Sequence, residues 1–349
     1  MKLFIKLFSL SVVLSCYAAC MNGQGVTLVN DEAGQKVDVK MNGQLFTSYI
    51  YPSDFEKQCL YPIRTAKGTL ITRGFPRDPR PFEQVDHPHH VGSWLNYGDV
   101  NGLDFWNNSY NIPADKKHLY GWIHHKKIVS MENGAKSAKL SVEAEWTDIN
   151  GKGLLKEETT YEFIDEGDMR KIKRTTKLTS LTDTVVFGDN KEGMIAIRMD
   201  RAFEEPSTRP QTFTDAQGNA TTVRSVNNEG KNGVYRNSEG NEKESGDNGV
   251  WGKPAKWVSL SADLSGEKVT VAIVDNKNNP GFPGYSHARG YGLFAHNDFG
   301  AQAYNPAAPK RVTTLLRGQS ITFNHLIIVK TNGFLTDADM NREFENFNK

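Results

Sequence analysis

The sequence predicts an all-β protein, a large antiparallel β-sandwich with a short C-terminal helix. Residues 139–146 alternate polar and apolar side chains, and residues 158–163 repeat the alternation after a Gly-Lys-Gly turn; this period of two is typical of strands with one face in water. The 31 glycines and 10% aromatic residues among 349 positions indicate many strands and turns. By analogy at the level of fold, this length suits a supersandwich of the galactose-mutarotase type.

Further strand-like segments continue along the chain. They are expected at about 26–31, 43–50, 60–73, 120–131, 168–182, 184–189, 193–203, 256–263, 268–274, 290–296, 311–317 and 321–330. Arg317-Gly318-Gln319-Ser320 is predicted to form a hairpin turn between the last two. Thr336 is expected to cap a final helix whose apolar face packs on the sheet. No period of 20 to 50 residues repeats, which disfavours propellers and solenoids.

Residues 1–20 have the pattern of a signal peptide. Lysines precede an apolar run at 7–14, and small residues follow it. We therefore expect export to the periplasm, or attachment to the outer membrane of a bacterium as a lipoprotein. The segments ending at Cys16 and Cys20 each resemble a lipobox imperfectly, so a lipid anchor is possible at either one.

The rest of the chain, residues 21–349, is expected to be a single β-sandwich domain. Residues 204–254 are rich in Asn, Gly, Glu, Ser and Lys, which predicts a polar surface insertion rather than a domain boundary. The formal net charge is +1 with both signs interspersed, which argues against nucleic acid as a partner. After residue 20 no apolar run approaches the roughly twenty residues of a membrane span. Cys59 has no partner for an internal disulfide and is expected to be buried.

The stretch 86–106 is the strongest candidate for a functional site. Three of the nine histidines lie at 87, 89 and 90. Because Pro88 favours an extended His87, we expect His87 and His89 to project to one side and His90 to the other. Two convergent imidazoles suit acid–base chemistry or, together with a carboxylate, a divalent metal on His87 and His89. The alternative is a strand end whose histidines are simply hydrogen-bonded.

Aromatic and acidic residues surround these histidines in the sequence. Asn101-Gly102 predicts a turn that places Asp104 and Trp106 beside the histidines. With Asp86 and Trp94, they offer hydrogen-bonding carboxylates and flat apolar surfaces, a combination that suits sugar rings.

Further candidates lie outside that stretch. Glu192 stands at a strand edge between glycines and is a candidate general base or metal ligand. His124 lies within a predicted strand, where either a site or a packing role is open. The 279–291 loop offers Arg289 and Tyr291 to a ligand, or it simply closes the sandwich edge. The alternation around His325 favours a core histidine.

Several of these segments together resemble a known family. The matching segments are Asp86-His87-Pro88-His89-His90, 99–106, 188–193, 279–283, 289–294 and 297–300. They resemble the family labelled PmoA-like, or "methane oxygenase PmoA", in order across most of the chain. The resemblance implies exported proteins linked to bacterial sugar catabolism. Its label implies a copper or iron oxygenase that depends on dioxygen, although a genuine methane monooxygenase subunit would need membrane spans.

Missing signatures limit the chemistry further. The sequence has no phosphate-binding glycine loop, no Gly-x-Ser-x-Gly elbow, no Cys-x-x-Cys pair and no His-Glu-x-x-His helix. The leading hypothesis is an exported carbohydrate-active epimerase, lyase or hydrolase. Its histidines at 87, 89, 90 and 124 and its Glu192 would act as acid and base, with or without a divalent metal. The alternatives are a non-catalytic carbohydrate-binding lipoprotein and the oxygenase of the family label.

Overall fold

A computed structural model describes residues 24–349. The predicted signal peptide, residues 1–20, lies outside the described residues. The first ten strands are β1 (Val26–Asp31), β2 (Lys36–Met41), β3 (Gln44–Ile50), β4 (Cys59–Ile63), β5 (Ser93–Leu95), β6 (Trp122–Glu132), β7 (Ser137–Thr147), β8 (Gly153–Asp165), β9 (Met169–Ser180) and β10 (Thr184–Phe187). The next ten are β11 (Ile195–Arg198), β12 (Gln211–Thr214), β13 (Ala220–Ser225), β14 (Val234–Asn237), β15 (Trp257–Leu264), β16 (Glu267–Asp275), β17 (Tyr285–Arg289), β18 (Leu293–Asn297), β19 (Thr313–Leu316) and β20 (Ser320–Lys330).

Helices are short and few in this part of the chain. They are α1 (Ala301–Tyr304), α2 (Asp337–Phe347) and the 3₁₀ turns Ala114–Leu119 and Arg201–Phe203. Among the described residues, no helix combines the length and apolar character that a membrane crossing requires.

Two eight-stranded sheets form the body of the protein. The first has the order β1-β2-β3-β4-β5-β11-β18-β17, and the second has the order β14-β15-β16-β20-β9-β8-β7-β6. Their paired strands are antiparallel. A large apolar cluster contains residues of both sheets, such as Val39 and Phe294 from the first and Tyr161 and Val271 from the second. The predicted antiparallel β-sandwich with a short C-terminal helix is confirmed.

Some predicted boundaries are wrong for identifiable reasons. The turn at Arg317–Ser320 forms, but β19 pairs with β10 while β20 lies between β9 and β16, so it connects two sheets and is not a hairpin. The strand predicted at 60–73 ends at Ile63, since a turn closed by the Gly68 N to Thr65 O hydrogen bond follows it. Local alternation reports an extended chain but not the partner with which it pairs.

The polar segment 204–254 contains three short strands. β12 and β13 form a separate antiparallel ribbon, whereas β14 extends the second large sheet by pairing with β15. Val223 and Val234 in this segment are 72% and 47% exposed. The single-domain assignment for residues 21–349 stays a prediction.

The C-terminal helix packs on the second sheet. Thr336 caps it, with reciprocal hydrogen bonds between Thr336 and Asp339, as the sequence predicts. Met340 and Phe344 enter an apolar cluster with Trp257 and Ile328 on the sheet surface. Burial of this apolar stripe holds the helix in place, since an isolated helix of this length is marginal in water.

Truncating the buried aromatic ring of this helix tests its contribution. Phe344 is 2% exposed, so Phe344→Ala is expected to lower the free energy of unfolding by about 3–4 kcal/mol through lost burial and a residual cavity. Urea denaturation followed by circular dichroism measures it. Glu345→Ala, at a side chain 62% exposed, is the control and is expected to change stability by about 0.5 kcal/mol or less. Equal losses in the two variants would contradict this packing.

Candidate active site

The outward face of the first sheet supports a cluster of polar and aromatic side chains. Along β11, Ile195 and Ile197 enter the core between the sheets, so Ala196 and Arg198 point away from it. The same alternation puts Trp94 of β5 and His287 of β17 on the outward face. Loops cover this face, and all four of these outward side chains are 0–1% exposed.

The loop 86–90 folds as a turn rather than as a strand end. His87 has φ 39°, a left-handed conformation, although the proline after it favours an extended backbone. The His90 N–H donates to the His87 carbonyl at 3.0 Å. The rings of His87 and His90 therefore stack, with centroids 4.9 Å apart. The prediction that His90 faces away from His87 is wrong, since it assumed an extended chain.

Asp86 anchors this turn to the sheet. Its carboxylate accepts a hydrogen bond from Arg198 Nη2 at 2.8 Å and pairs with the Arg73 guanidinium. Burial raises the pKa of Asp86, but the two guanidiniums outweigh it and hold that pKa well below its usual range. We predicted Asp86 as a substrate-binding group. The structure instead commits its carboxylate to internal ion pairs.

The same carboxylate orients His87. With Asp86 ionised, the His87 Nδ1–H donates to Asp86 Oδ2 at 2.7 Å. None of the residues from 24 to 349 forms a hydrogen bond with the other ring nitrogen, Nε2. The His87 side chain is 40% exposed, so Nε2 is the imidazole nitrogen best placed to meet a ligand. The Asp–His pair fixes one tautomer and the orientation of the ring.

Three further imidazoles are buried around His87. His89, His90 and His287 are 7%, 1% and 1% exposed. Burial lowers the pKa of each one well below the usual value for histidine, so these rings stay neutral near neutral pH. Neutral imidazoles of this kind can donate and accept hydrogen bonds without adding charge to the site.

The two tryptophans predicted to hold a sugar ring lie beneath the histidines. Trp94 stacks on His90 with centroids 5.2 Å apart, and Trp106 stacks on His287 at 5.8 Å. Trp94 is 0% and Trp106 is 1% exposed. The prediction that they offer an open stacking surface is therefore wrong: their rings form the floor that fixes the imidazoles.

Glu192 lies beside the buried His287. Its Oε2 is 3.6 Å from His287 Nδ1, and its side chain is 15% exposed. Asn297 holds the loop of Glu192, since its Nδ2 donates to the carbonyls of Asn190 and Lys191 at 2.9 and 3.0 Å. The structure thus places Glu192 beside the cluster formed by His87, His89, His90 and His287, and its role as a general base stays a prediction.

A polar groove adjoins this cluster at Tyr291. The Tyr291 ring stacks on His87 with centroids 4.9 Å apart and has the Arg198 guanidinium over it at 4.6 Å. The groove has a volume of about 670 Å³, and its walls include Glu205, Ser207, Arg209, Glu244, Arg289 and Tyr291. Arg289 and Tyr291 therefore line an open groove, and their role in binding a ligand stays a prediction.

Two predicted site residues lie elsewhere or have another role. His124 lines a separate pocket together with Tyr51 and Gln58, because its strand β6 is at the far edge of the second sheet. The Asp104 carboxylate accepts the backbone N–H groups of Trp106 and Asn107 at 2.8 and 2.9 Å. It therefore folds its own turn and is not a free group beside the histidines.

The geometry gives little support to a metal on His87 and His89. Their rings are edge-to-face with centroids 5.6 Å apart, and Asp86 already accepts the His87 Nδ1–H. Among the described residues, the group of three whose ligand atoms converge is Asp275, Asp298 and His325. That group is remote from the opening histidine stretch in sequence.

Sequence reasoning missed several members of this cluster. Arg198 ends the otherwise apolar strand β11, and a charged residue directly after an apolar run is the signal that would have marked it. His287 alternates with Arg289 along β17 and is therefore on the same face. Arg73 has no local pattern that predicts its burial against Asp86.

Burial also explains Cys59. The thiol is 1% exposed, and burial raises its pKa to about 12. It is therefore an inert packing residue.

The comparison with protein families identifies the chain. The model of a family of unknown function, DUF6807, matches residues 36–345, so the chain belongs to that family. The finding corrects the resemblance to the PmoA-like family, which the match does not support. No curated protein matches the chain.

Solved structures with a similar arrangement include carbohydrate enzymes. The galactosidase domain of alpha-galactosidase-sucrose kinase, AgaSK, is 8% identical with a TM-score of 0.38 over 87% of this chain and 41% of that one. The GH36 alpha-galactosidase AgaA from Geobacillus stearothermophilus is 10% identical with a TM-score of 0.38 over 88% and 40%. The galactose mutarotase related enzyme from Lactobacillus acidophilus is 9% identical with a TM-score of 0.28 over 88% and 97%. The chain spans about two fifths of the galactosidases' length, and likenesses at these TM-scores carry no argument about activity.

Neutralising Asp86 tests the anchor of the site. Asp86→Asn leaves the buried guanidiniums of Arg73 and Arg198 without a counter-charge, and is expected to lower the free energy of unfolding by about 3 kcal/mol or more. Urea denaturation at pH 7 measures this loss of unfolding free energy. The control is Asp183→Asn, the same change at a side chain 94% exposed, for which a loss of at most about 1 kcal/mol is expected. A small loss at Asp86 would show that the ion pairs do not hold the turn.

The buried neutral histidines predict an acid-sensitive fold. Because folding lowers the pKa of His89, His90 and His287, these three residues gain protons only in the unfolded chain as pH falls below about 6.5. The free energy of unfolding is therefore expected to decrease with falling pH, by up to about 1.4 kcal/mol per pH unit for each histidine. Denaturation between pH 7.5 and 5.5 measures the slope. His90→Gln should reduce it by one such increment, whereas His118→Gln, at an exposed histidine, should not. An unchanged slope in His90→Gln would contradict a neutral His90.

Proposed function

We propose that this member of the DUF6807 family catalyses proton transfer on a carbohydrate bound at the histidine cluster. The observation on which the proposal rests is the Asp86–His87 pair, in which Nδ1 of a 40% exposed imidazole is fixed by an ionised carboxylate. In this arrangement His87 Nε2 accepts a proton from a ligand and returns it, while Asp86 holds the imidazole in the required tautomer and orientation. Arg73 and Arg198 keep Asp86 ionised for that role.

Glu192 supplies the second proton-transferring group. Its carboxylate is 3.6 Å from His287 and only partly exposed, so it contacts both the buried imidazole and an incoming ligand. A general acid and a general base that both face the substrate serve epimerisation, elimination and hydrolysis. The proposal therefore covers one reaction class, general acid–base catalysis by His87 and Glu192.

The groove beside Tyr291 is suited to a polyhydroxylated ligand. Its walls combine the carboxylates of Glu205 and Glu244, the guanidiniums of Arg209 and Arg289 and the hydroxyl of Ser207. Closely spaced donors and acceptors of both kinds match the hydroxyl groups of a sugar. Arg289 in particular lies 4.9 Å over the Trp251 ring and 3.8 Å from Glu244, which orients its guanidinium. Positioning by such polar groups replaces the tryptophan platform predicted from sequence.

A proton-exchange experiment tests this function. The purified chain would be incubated in D₂O with a panel of neutral hexoses, uronic acids and disaccharides, and ¹H NMR would follow deuterium uptake or product formation. For a converted sugar, Glu192→Gln and His87→Gln are expected to reduce kcat by about 10²–10⁴-fold, with the Kd from calorimetry changed by less than about threefold. His124→Gln is the matched control and should retain activity, because His124 lies outside the cluster.

The outcomes distinguish catalysis from binding. Sugar binding without conversion by the wild type, kept in Glu192→Gln and His87→Gln, would support the non-catalytic carbohydrate-binding alternative. Equal kcat in the wild type and both cluster variants would contradict the assigned roles. No binding to any sugar of the panel would contradict the substrate class.

A further inference from the structure

A second polar cluster lies inside the sandwich, between the two sheets. Asp275 at the end of β16 and His325 of β20 are cross-strand partners in the second sheet. Asp298 directly follows β18 of the first sheet, and His296 belongs to that strand. All four side chains are 0% exposed. Charged groups buried this deeply need compensating partners.

Three of these side chains converge on one point. Asp275, Asp298 and His325 each offer a ligand atom, and the three atoms lie within 4.8 Å of one another. His325 Nε2 is 3.3 Å from Asp298 Oδ2. Atoms bound to a common ion at about 2.0–2.2 Å lie roughly 3–4 Å apart. The spacing is therefore close to that of a coordination sphere.

The hydrogen bonding of Asp298 is incomplete. In residues 24–349 neither of its carboxylate oxygens has a hydrogen-bond partner, and the same is true of His325 Nδ1. The distance between Asp298 and His325 is short enough for a hydrogen bond, but the contact does not have the geometry of one. Buried carboxylate oxygens are almost always satisfied in folded proteins. The unpartnered oxygens of Asp298 point to a cation as the missing partner.

Hydrogen bonds fix the orientation of the Asp275 carboxylate, as they do for carboxylates that bind metals. Asn279 Nδ2 donates to its Oδ1 at 2.8 Å, and the Gly284 N–H donates to its Oδ2 at 2.9 Å. His296 Nε2 is 3.0 Å from the same Oδ2, although like Asp298 it has no hydrogen-bond partner among residues 24–349. Outer partners of this type fix the orientation of a ligand before the ion binds.

We propose that Asp275, Asp298 and His325 bind a divalent transition-metal ion that joins the two sheets. The two carboxylates balance the charge of such an ion. One imidazole with two carboxylates suits Zn²⁺ or Mn²⁺, whereas Ca²⁺ and Mg²⁺ prefer oxygen ligands alone. The site lies on the core side of the first sheet, so it is separate from the His87 cluster and independent of the proposed function.

The competing arrangement contains no metal. In it, the imidazoles of His296 and His325 lie directly against the carboxylates of Asp275 and Asp298, at 3.0 and 3.3 Å, with no ion between them. Both arrangements predict that substitution lowers stability. Only the first predicts bound metal, and only the first predicts that a chelator changes the melting temperature.

Elemental mass spectrometry of the full chain distinguishes the arrangement with a metal from the arrangement without one. The protein would be refolded with Zn²⁺ or Mn²⁺, desalted and analysed, and about one ion per chain is expected. Asp298→Asn and His325→Gln are expected to lower the bound metal about tenfold or more. Asp183→Asn and His118→Gln are the matched surface controls, and the double variant His87→Ala/His89→Ala tests the other proposed ligands. All three should retain the metal.

A measurement on the wild type guards against variants that do not fold. Refolding with a chelator should give a lower melting temperature, which Zn²⁺ or Mn²⁺ restores, and Co²⁺ loading should give the visible absorption of a mixed nitrogen and oxygen site. Less than about 0.1 ion per chain, with no chelator effect on melting, would overturn the proposal. Full metal content in folded Asp298→Asn, or its loss only in the His87 and His89 variant, would also overturn it.

Discussion

The ion pairs of Asp86 with Arg73 and Arg198 are the constraint on which the candidate site depends. Arg198 is part of a central strand of the first sheet, and Asp86 begins the turn that presents His87. Neither guanidinium is more than 1% exposed, so each one needs this carboxylate. A single carboxylate therefore pairs with two buried guanidiniums, fixes the loop on the sheet and orients the ring of His87. Structure and proposed chemistry rest on the same atoms.

The sequence predicts the fold class well because the sheet faces impose a period of two. Strands such as β7 and β8 and the capped helix α2 follow directly from that pattern and from capping chemistry. Strand pairing does not follow, as the turn between β19 and β20 shows. Two extended segments joined by a tight turn look the same in sequence whether they pair with each other or with other strands. Pairing is decided by contacts between residues far apart in the chain.

The site is predicted in part for a similar reason. The His-Pro-His-His motif and Glu192 are visible as unusual local sequences, and the structure brings them together. The roles of Trp94 and Trp106 are not visible, because a tryptophan in a buried floor and one on an open platform have the same neighbours in sequence. The partner of Asp86 was equally hidden, since Arg198 is 112 residues away. Local patterns identify reactive residues, whereas burial decides which of them face a ligand.

The left-handed backbone at His87 has a consequence for the balance between stability and function. A residue with a β-carbon at φ 39° is strained by about 1 kcal/mol or more relative to glycine, which adopts that conformation freely. Glycine at position 87 would therefore relax the turn while deleting the exposed imidazole. A histidine at this position keeps the reactive imidazole but lowers the stability of the folded chain. Strained functional sites commonly have this effect. Stabilising this protein by design would have to leave that one unfavourable backbone angle in place.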